Sequence, residues 1–192
     1  MIHLATPHNV SELVITLCWA VAVVVWAVSA LFVRRTVERS LGWARLLTLV
    51  AVIWVFEVVY RTGGLEQTLW SQTAAIGVLA DLFTVAGLAV ALWARAVLGR
   101  NWSGTVAFKA DHELIQHGPY AYVRHPIYSG LLLMGLGTAV ESGRLASFVL
   151  LAGIAVVFAV KAHLEERLMT SHFPEAYPQY RRRVKALIPG VW

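Results

Sequence analysis

The chain alternates long apolar runs with short polar joints. Residues 13–33 carry no charge, and a run of that length crosses a hydrocarbon core of about 30 Å as one helix. It lacks the basic start and small-residue cleavage site of a signal peptide, so it reads as a retained first span. Residues 46–60 form a second run, broken only by Glu57, and residues 74–98 a third, carrying Asp81. Residues 127–140 and 145–160 are shorter, and the turn signal Glu141-Ser142-Gly143-Arg144 separates them. Two short runs about a tight turn predict a helical hairpin, each helix lengthened at its inner end by polar residues. Residues 99–126 and 161–192 hold the polar and aromatic side chains. The pattern predicts an all-α integral membrane protein of about five transmembrane helices. The last two form the hairpin, and a cytoplasmic loop and C-terminal helix are expected to form a pocket.

Composition supports the membrane reading. Hydrophobic residues make up 58% of the 192 and charged residues only 14%, against roughly 25% charged in soluble domains. The chain reads as a single domain, with N-terminal helices over 1–73 and a motif-bearing core over 74–192. The single cysteine, Cys18, excludes a disulfide within the chain and a thiolate cluster. The histidines lack the paired spacing of a zincin helix, so no metal is expected.

Charge sets the orientation. With the N-terminus outside and five crossings, only Arg61 and Arg144 of the 16 lysines and arginines fall on the outer side. The positive-inside rule then puts the C-terminus in the cytoplasm, in the inner membrane if the source is bacterial. The net charge of +5 accordingly reports orientation and contact with anionic headgroups, not nucleic acid. The basic run Arg181 to Arg183 is expected to grip headgroups rather than substrate.

One consequence is that the loop before residue 127 and the tail after residue 160 share the cytoplasmic side. The loop contains Gly118-Pro119-Tyr120 and Arg124-His125-Pro126-Ile127-Tyr128-Ser129-Gly130. Irregular backbone at membrane depth is tolerated where protein or water covers it, so these breaks are expected to line a cavity. Tyr120, Tyr122 and Tyr128 can offer ring faces to a cation, or serve as an interfacial aromatic belt. Arg124 can bind lipid phosphate, and His125 can cap the next helix. The tail brings Lys161, His163, Glu165, Glu166 and Arg167. Adjacent carboxylates at the inner end of a buried helix are functional candidates. Glu57 and Asp81, each alone in a span, are equally open to structural and functional roles.

The motifs Leu98-Gly99-Arg100-Asn101-Trp102-Ser103, His112-Glu113-Leu114-Ile115, Gly118-Pro119-Tyr120, Arg124 to Gly130, Glu165-Glu166, and Phe173, Tyr177, Tyr180 with Ile188-Pro189 resemble the isoprenylcysteine carboxyl methyltransferase family. The wider group includes phospholipid N-methyltransferases. The resemblance covers about the last half of the chain. It implies a membrane enzyme that uses S-adenosyl-L-methionine to methylate a lipophilic or small acceptor. Isoprenylcysteine-type carboxylate O-methylation comes first, with lipid amines and thiols as alternatives. Carried over, the cofactor positions are His112, Glu113, Leu114, Ile115, Tyr120, His125, Pro126, Ile127, Tyr128 and Glu165. The candidate catalytic residues are Arg124, Lys161 and Glu166. Lys161 stands where the isoprenylcysteine enzymes have an arginine, which keeps the charge but not the two-pronged donor geometry. A carboxylate or thiolate acceptor needs no general base, whereas an amine must lose a proton, to Glu166 or His163. Two rivals remain: an NADPH-dependent membrane reductase with a similar C-terminal motif, and a non-catalytic scaffold of the same fold.

Overall fold

A computed structural model describes residues 7–30, 36–39, 65, 67–99, 107–109 and 114–191. The expected span at 46–60 with Glu57, the motif at 100–103, and His112 and Glu113 lie outside the described residues. The described helices are α1 (Pro7–Ala30), α2 (Ala74–Leu98), α3 (Pro126–Ser142), α4 (Leu145–His172) and α5 (Ala176–Arg183). Three of them, α1, α2 and α4, are long and apolar enough to cross a membrane. One short antiparallel ladder, Thr36–Arg39 against Ala107–Lys109, adds the only strands among the described residues.

The ends of these helices follow local chemistry. Thr73 caps α2 by accepting the backbone N–H of Ile76 at 3.3 Å, which satisfies one of the orphan donors of the first turn. Gly143 ends α3 in the left-handed region, with φ 62°, where glycine carries no Cβ penalty. The turn is thus shorter than the sequence suggests, because Glu141 and Ser142 belong to α3. Only Gly143 and Arg144 separate α3 from α4.

The tightest seam lies between α2 and α3. Ala80, Thr84, Gly87, Ala91 and Ala94 face it from α2, and Gly130, Met134 and Gly137 from α3; all are buried. A Cβ on Gly87 would stand 2.5 Å from the Gly130 carbonyl oxygen, and one on Gly130 would stand 2.6 Å from that of Gly87. Small residues let two backbones touch, which is how helices associate where lipid removes the hydrophobic drive. α1 closes on this seam through Cys18 and Ala22, which cluster with Met134. Cys18 is therefore a small core residue. Asp81 accepts a hydrogen bond from the Ser11 hydroxyl at 3.2 Å, joining α2 to α1.

α4 is different. In the apolar stretch that would cross a membrane only 6% of residues are fully buried, most are half-buried, and Val156 is 63% and Val160 51% exposed. Its inner turns, by contrast, bury Ala162 and Glu166.

Candidate functional site

The loop before α3 is shaped by its prolines and by the C-terminal segment. Gly118, at φ 61°, and Pro119 open a 3-10 turn over Gly118–Ala121 that buries Pro119 and Tyr120. Tyr120 packs with Ala94 and Ile127, and Ile115 lies against this cluster. Leu114 is half-buried nearby in sequence. Residues after α5 run alongside the loop. Arg124 N–H donates to the Lys185 carbonyl at 2.8 Å, and His125 N–H donates to that of Ala186 at 2.9 Å. The Ser129 hydroxyl donates to the Leu187 carbonyl at 2.6 Å. The Tyr180 hydroxyl donates to the Tyr120 carbonyl at 2.6 Å. These bonds satisfy backbone groups that irregular structure would otherwise leave exposed or orphaned.

His125 and Arg124 then meet the paired glutamates of α4. Arg124 donates through Nε to Glu166 Oε1 at 2.8 Å, and its Nη2 stands 2.6 Å from the same oxygen. Arg124 Nη1 donates to the carbonyls of Arg181, at 3.3 Å, and of Val184. Glu166 Oε2 lies 3.3 Å from Arg181 Nε. His125 lies between both carboxylates, with Nε2 3.2 Å from Glu166 and Nδ1 3.5 Å from Glu165. It is the N-terminal cap residue of α3, yet its side chain makes no cap bond; the two glutamates take the ring instead. Burial disfavours the imidazolium, but hydrogen bonds and charge from Glu165 and Glu166 outweigh it and hold the His125 pKa above its ordinary value. Burial raises the Tyr120 phenol, reinforced by the charge of Glu165. That phenol therefore stays neutral at physiological pH.

Tyr128, one turn into α3, donates its hydroxyl to Glu165 Oε1 at 2.6 Å. Its ring stacks on His125, with centroids 5.6 Å apart, and on Phe158 at 4.7 Å. Lys161 Nζ stands 5.3 Å from the Tyr128 ring centroid, within cation–π range. Lys161 and Phe158 are three residues apart on α4, so one helix face presents both. The Glu165 side chain is 24% exposed, against 7% for Glu166. Glu166 is thus enclosed by Arg124, His125 and Arg181, whereas Glu165 retains access to a ligand.

The structure therefore brings together Arg124, His125, Tyr128, Lys161, Glu165 and Glu166. Pro126 and Ile127 lie buried beneath them at the start of α3. Tyr120 and Ile115 stand on the apolar side, in the cluster with Ala94. His163 is exposed, as is Tyr122, 67% of whose surface is open. The expected tyrosine faces are thus already partnered at Tyr120 and Tyr128. Sequence reasoning missed Phe158, which reads as one apolar residue among many. It also left Arg181 as part of a headgroup-binding run, although its guanidinium reaches Glu166.

Several known proteins are similar to this chain. The Protein-S-isoprenylcysteine O-methyltransferase of Schizosaccharomyces pombe is 36% identical over 123 residues, covering 62% of this chain and 50% of that protein. The nickel-cobalt-cadmium resistance protein NccN of Alcaligenes xylosoxydans xylosoxydans is 34% identical over 125 residues, covering 64% of this chain and 55% of that protein. The Protein-S-isoprenylcysteine O-methyltransferase B of Arabidopsis thaliana is 28% identical over 153 residues, covering 76% of this chain and 73% of that protein. The chain thus spans about half the length of the first two relatives. Residues 79–171, which begin in α2 and end in the last turn of α4, match the model of the isoprenylcysteine carboxyl methyltransferase (ICMT) family.

Proposed function

We propose that this chain is an integral membrane methyltransferase that uses S-adenosyl-L-methionine and methylates the carboxylate of an isoprenylcysteine-type acceptor. The observation that carries the proposal is the convergence of Tyr128 and His125 with Glu165, at the inner end of a lipid-facing helix. The match of residues 79–171 to the ICMT family model supports the same reading. In this proposal the chain crosses the membrane five times, α3 and α4 as a hairpin, with residues 74–192 as the core and the C-terminus in the cytoplasm.

The donor set fits the cofactor. S-adenosylmethionine is cationic at sulfur and at its amino group, carries hydroxyls, and when bound supplies an electrophilic methyl. Glu165 is a partly exposed carboxylate held by one strong hydrogen bond from Tyr128, and its remaining lone pairs suit an ammonium or hydroxyl donor. Ile115, Tyr120 and Ile127 provide an apolar wall, while Leu114, His112 and Glu113 complete the proposed cofactor segment. His125 and Pro126 fix the start of α3 and so the direction in which Tyr128 points.

On the acceptor side, Lys161 meets the carboxylate. A carboxylate is already a nucleophile, so these residues need only align it and exclude water, a contribution that reaches several kcal/mol. Arg124 and Glu166 hold each other and the tail, and we assign them to positioning rather than to proton transfer. A lipophilic acceptor approaches sideways from the bilayer along the exposed face of α4.

Labelled S-adenosylmethionine offered with a prenylated cysteine, a lipid amine and a small thiol tests this in purified protein in lipid. The expected product carries the methyl as an ester of the prenylated cysteine. Methyl on nitrogen or sulfur redirects the acceptor. Calorimetric binding of NADPH without S-adenosylhomocysteine would end the methyltransferase reading. Glu165→Gln is expected to weaken S-adenosylhomocysteine more than about ten-fold, the loss of one charged hydrogen bond, with the circular dichroism of the folded chain unchanged.

A further inference from the structure

We propose that α5 and the tail behind it form a docking surface for an anionic bilayer, with Arg182 and Lys185 contacting lipid phosphate and Ile188 and Val191 entering the headgroup layer. α4 has 28 residues, about 42 Å at 1.5 Å per residue, against a hydrocarbon core of about 30 Å. Its inner turns therefore stand at headgroup depth. α5 folds back beside them, since Arg181 reaches Glu166 at 3.3 Å, a turn and a half before the end of α4. The tail is held at the same level by the bonds from His125 N–H to Ala186 and from the Ser129 hydroxyl to Leu187. This basic segment is thus fixed at the membrane surface, not extended into the cytoplasm.

Its orientation is fixed too. Tyr177 and Tyr180 are both 3% exposed, so the opposite face of α5 is turned outward. Two of the four basic residues are engaged inward, Arg181 with Glu166 and Arg183 with Gln116 at 3.1 Å. Arg182 and Lys185 are exposed. Beside them Ile188 is 53% and Val191 70% exposed. Gly190, at φ 73°, and the bond from Val191 N–H to the Ile188 carbonyl fold these two apolar residues into one turn. Outward cations next to outward aliphatic side chains, at headgroup depth, complement an anionic interface and no other surface so well.

The test uses the full chain carrying Cys18→Ala and Val191→Cys, labelled with bimane and placed in vesicles. Acrylamide, a neutral quencher, reports exposure of the label. In vesicles of one part phosphatidylglycerol to three parts phosphatidylcholine, quenching is expected to fall several-fold relative to pure phosphatidylcholine, and to recover in high salt. Each basic side chain at such a surface shifts the docked fraction about five-fold. Arg182→Gln with Lys185→Gln should therefore restore quenching in the anionic vesicles, while circular dichroism stays unchanged. Equal quenching in the two vesicle types overturns the proposal, because the turn is then covered by its own chain or a second copy, or not at all. Protection that survives the double substitution, or that inorganic phosphate produces in neutral vesicles, overturns it as well.

Discussion

Two regions hold α3, by opposite means. Against α2 it is held by the absence of side chains: Gly87 and Gly130 let the backbones meet with no room for a methyl group. Against α4 and α5 its start is held by charge, with Arg124 and His125 clamped on Glu166 and Arg181 closing the far side. Around Gly87 and Gly130 the seam has no charge to lose and no volume to spare. The clamp tolerates small shifts of position but not the loss of a partner. The comparison teaches that the proposed site stands on a rigid floor, while its roof depends on ion pairs between segments distant in sequence.

The largest expected effect strikes the clamp. Glu166→Gln leaves Arg124 and His125 without their buried counter-charge and should cost about 3–5 kcal/mol, read as a lowered unfolding midpoint in detergent. A variant as stable as the parent would mean that the guanidinium has reached water. At the seam, Gly130→Ala forces a Cβ against the Gly87 carbonyl and the backbone of Ala91. Overpacking of this kind costs about 1–3 kcal/mol, with no dependence on salt. If high salt rescues it, the two regions are not distinct.

Tyr128→Phe removes only the hydroxyl that donates to Glu165. A hydrogen bond to a carboxylate contributes about 1.5–3 kcal/mol; because Glu165 is partly exposed, the lower end is expected, with a matching loss of S-adenosylhomocysteine affinity. pH separates the regions without mutation. The His125 pKa is raised by its glutamates, so its stabilisation is complete below the ordinary imidazole range and is lost as pH rises through the raised value. Thermal midpoints should fall across that window for the parent and for Gly130→Ala, but not for His125→Gln. The smallest change is Arg181→Gln: a side chain 55% exposed should contribute less than about 1 kcal/mol. A larger loss would make Arg181 a full member of the clamp.

Much of this was legible from residue order. The helices α1, α2 and α4 follow from long apolar runs, and Gly143 ends α3 because a glycine there accepts a positive φ. Gly118-Pro119 and His125-Pro126 announced the loop, and Glu165-Glu166 stood out as charge at the end of an apolar helix. The partners were not legible. No local pattern says that His125 faces two glutamates rather than capping α3. Nor does any show that Arg181 belongs to Glu166, or that Phe158 stacks on Tyr128.

What the sequence determined alone is therefore which segments are apolar, where they break, and which residues bring charge to the breaks, since hydropathy and proline act on their own neighbourhood. What only the tertiary structure decided is which charge meets which. Arg124 and Arg181 stand 42 and 15 residues from Glu166, and the energy of a buried ion pair depends on distance and burial, quantities that exist only once the helices have packed.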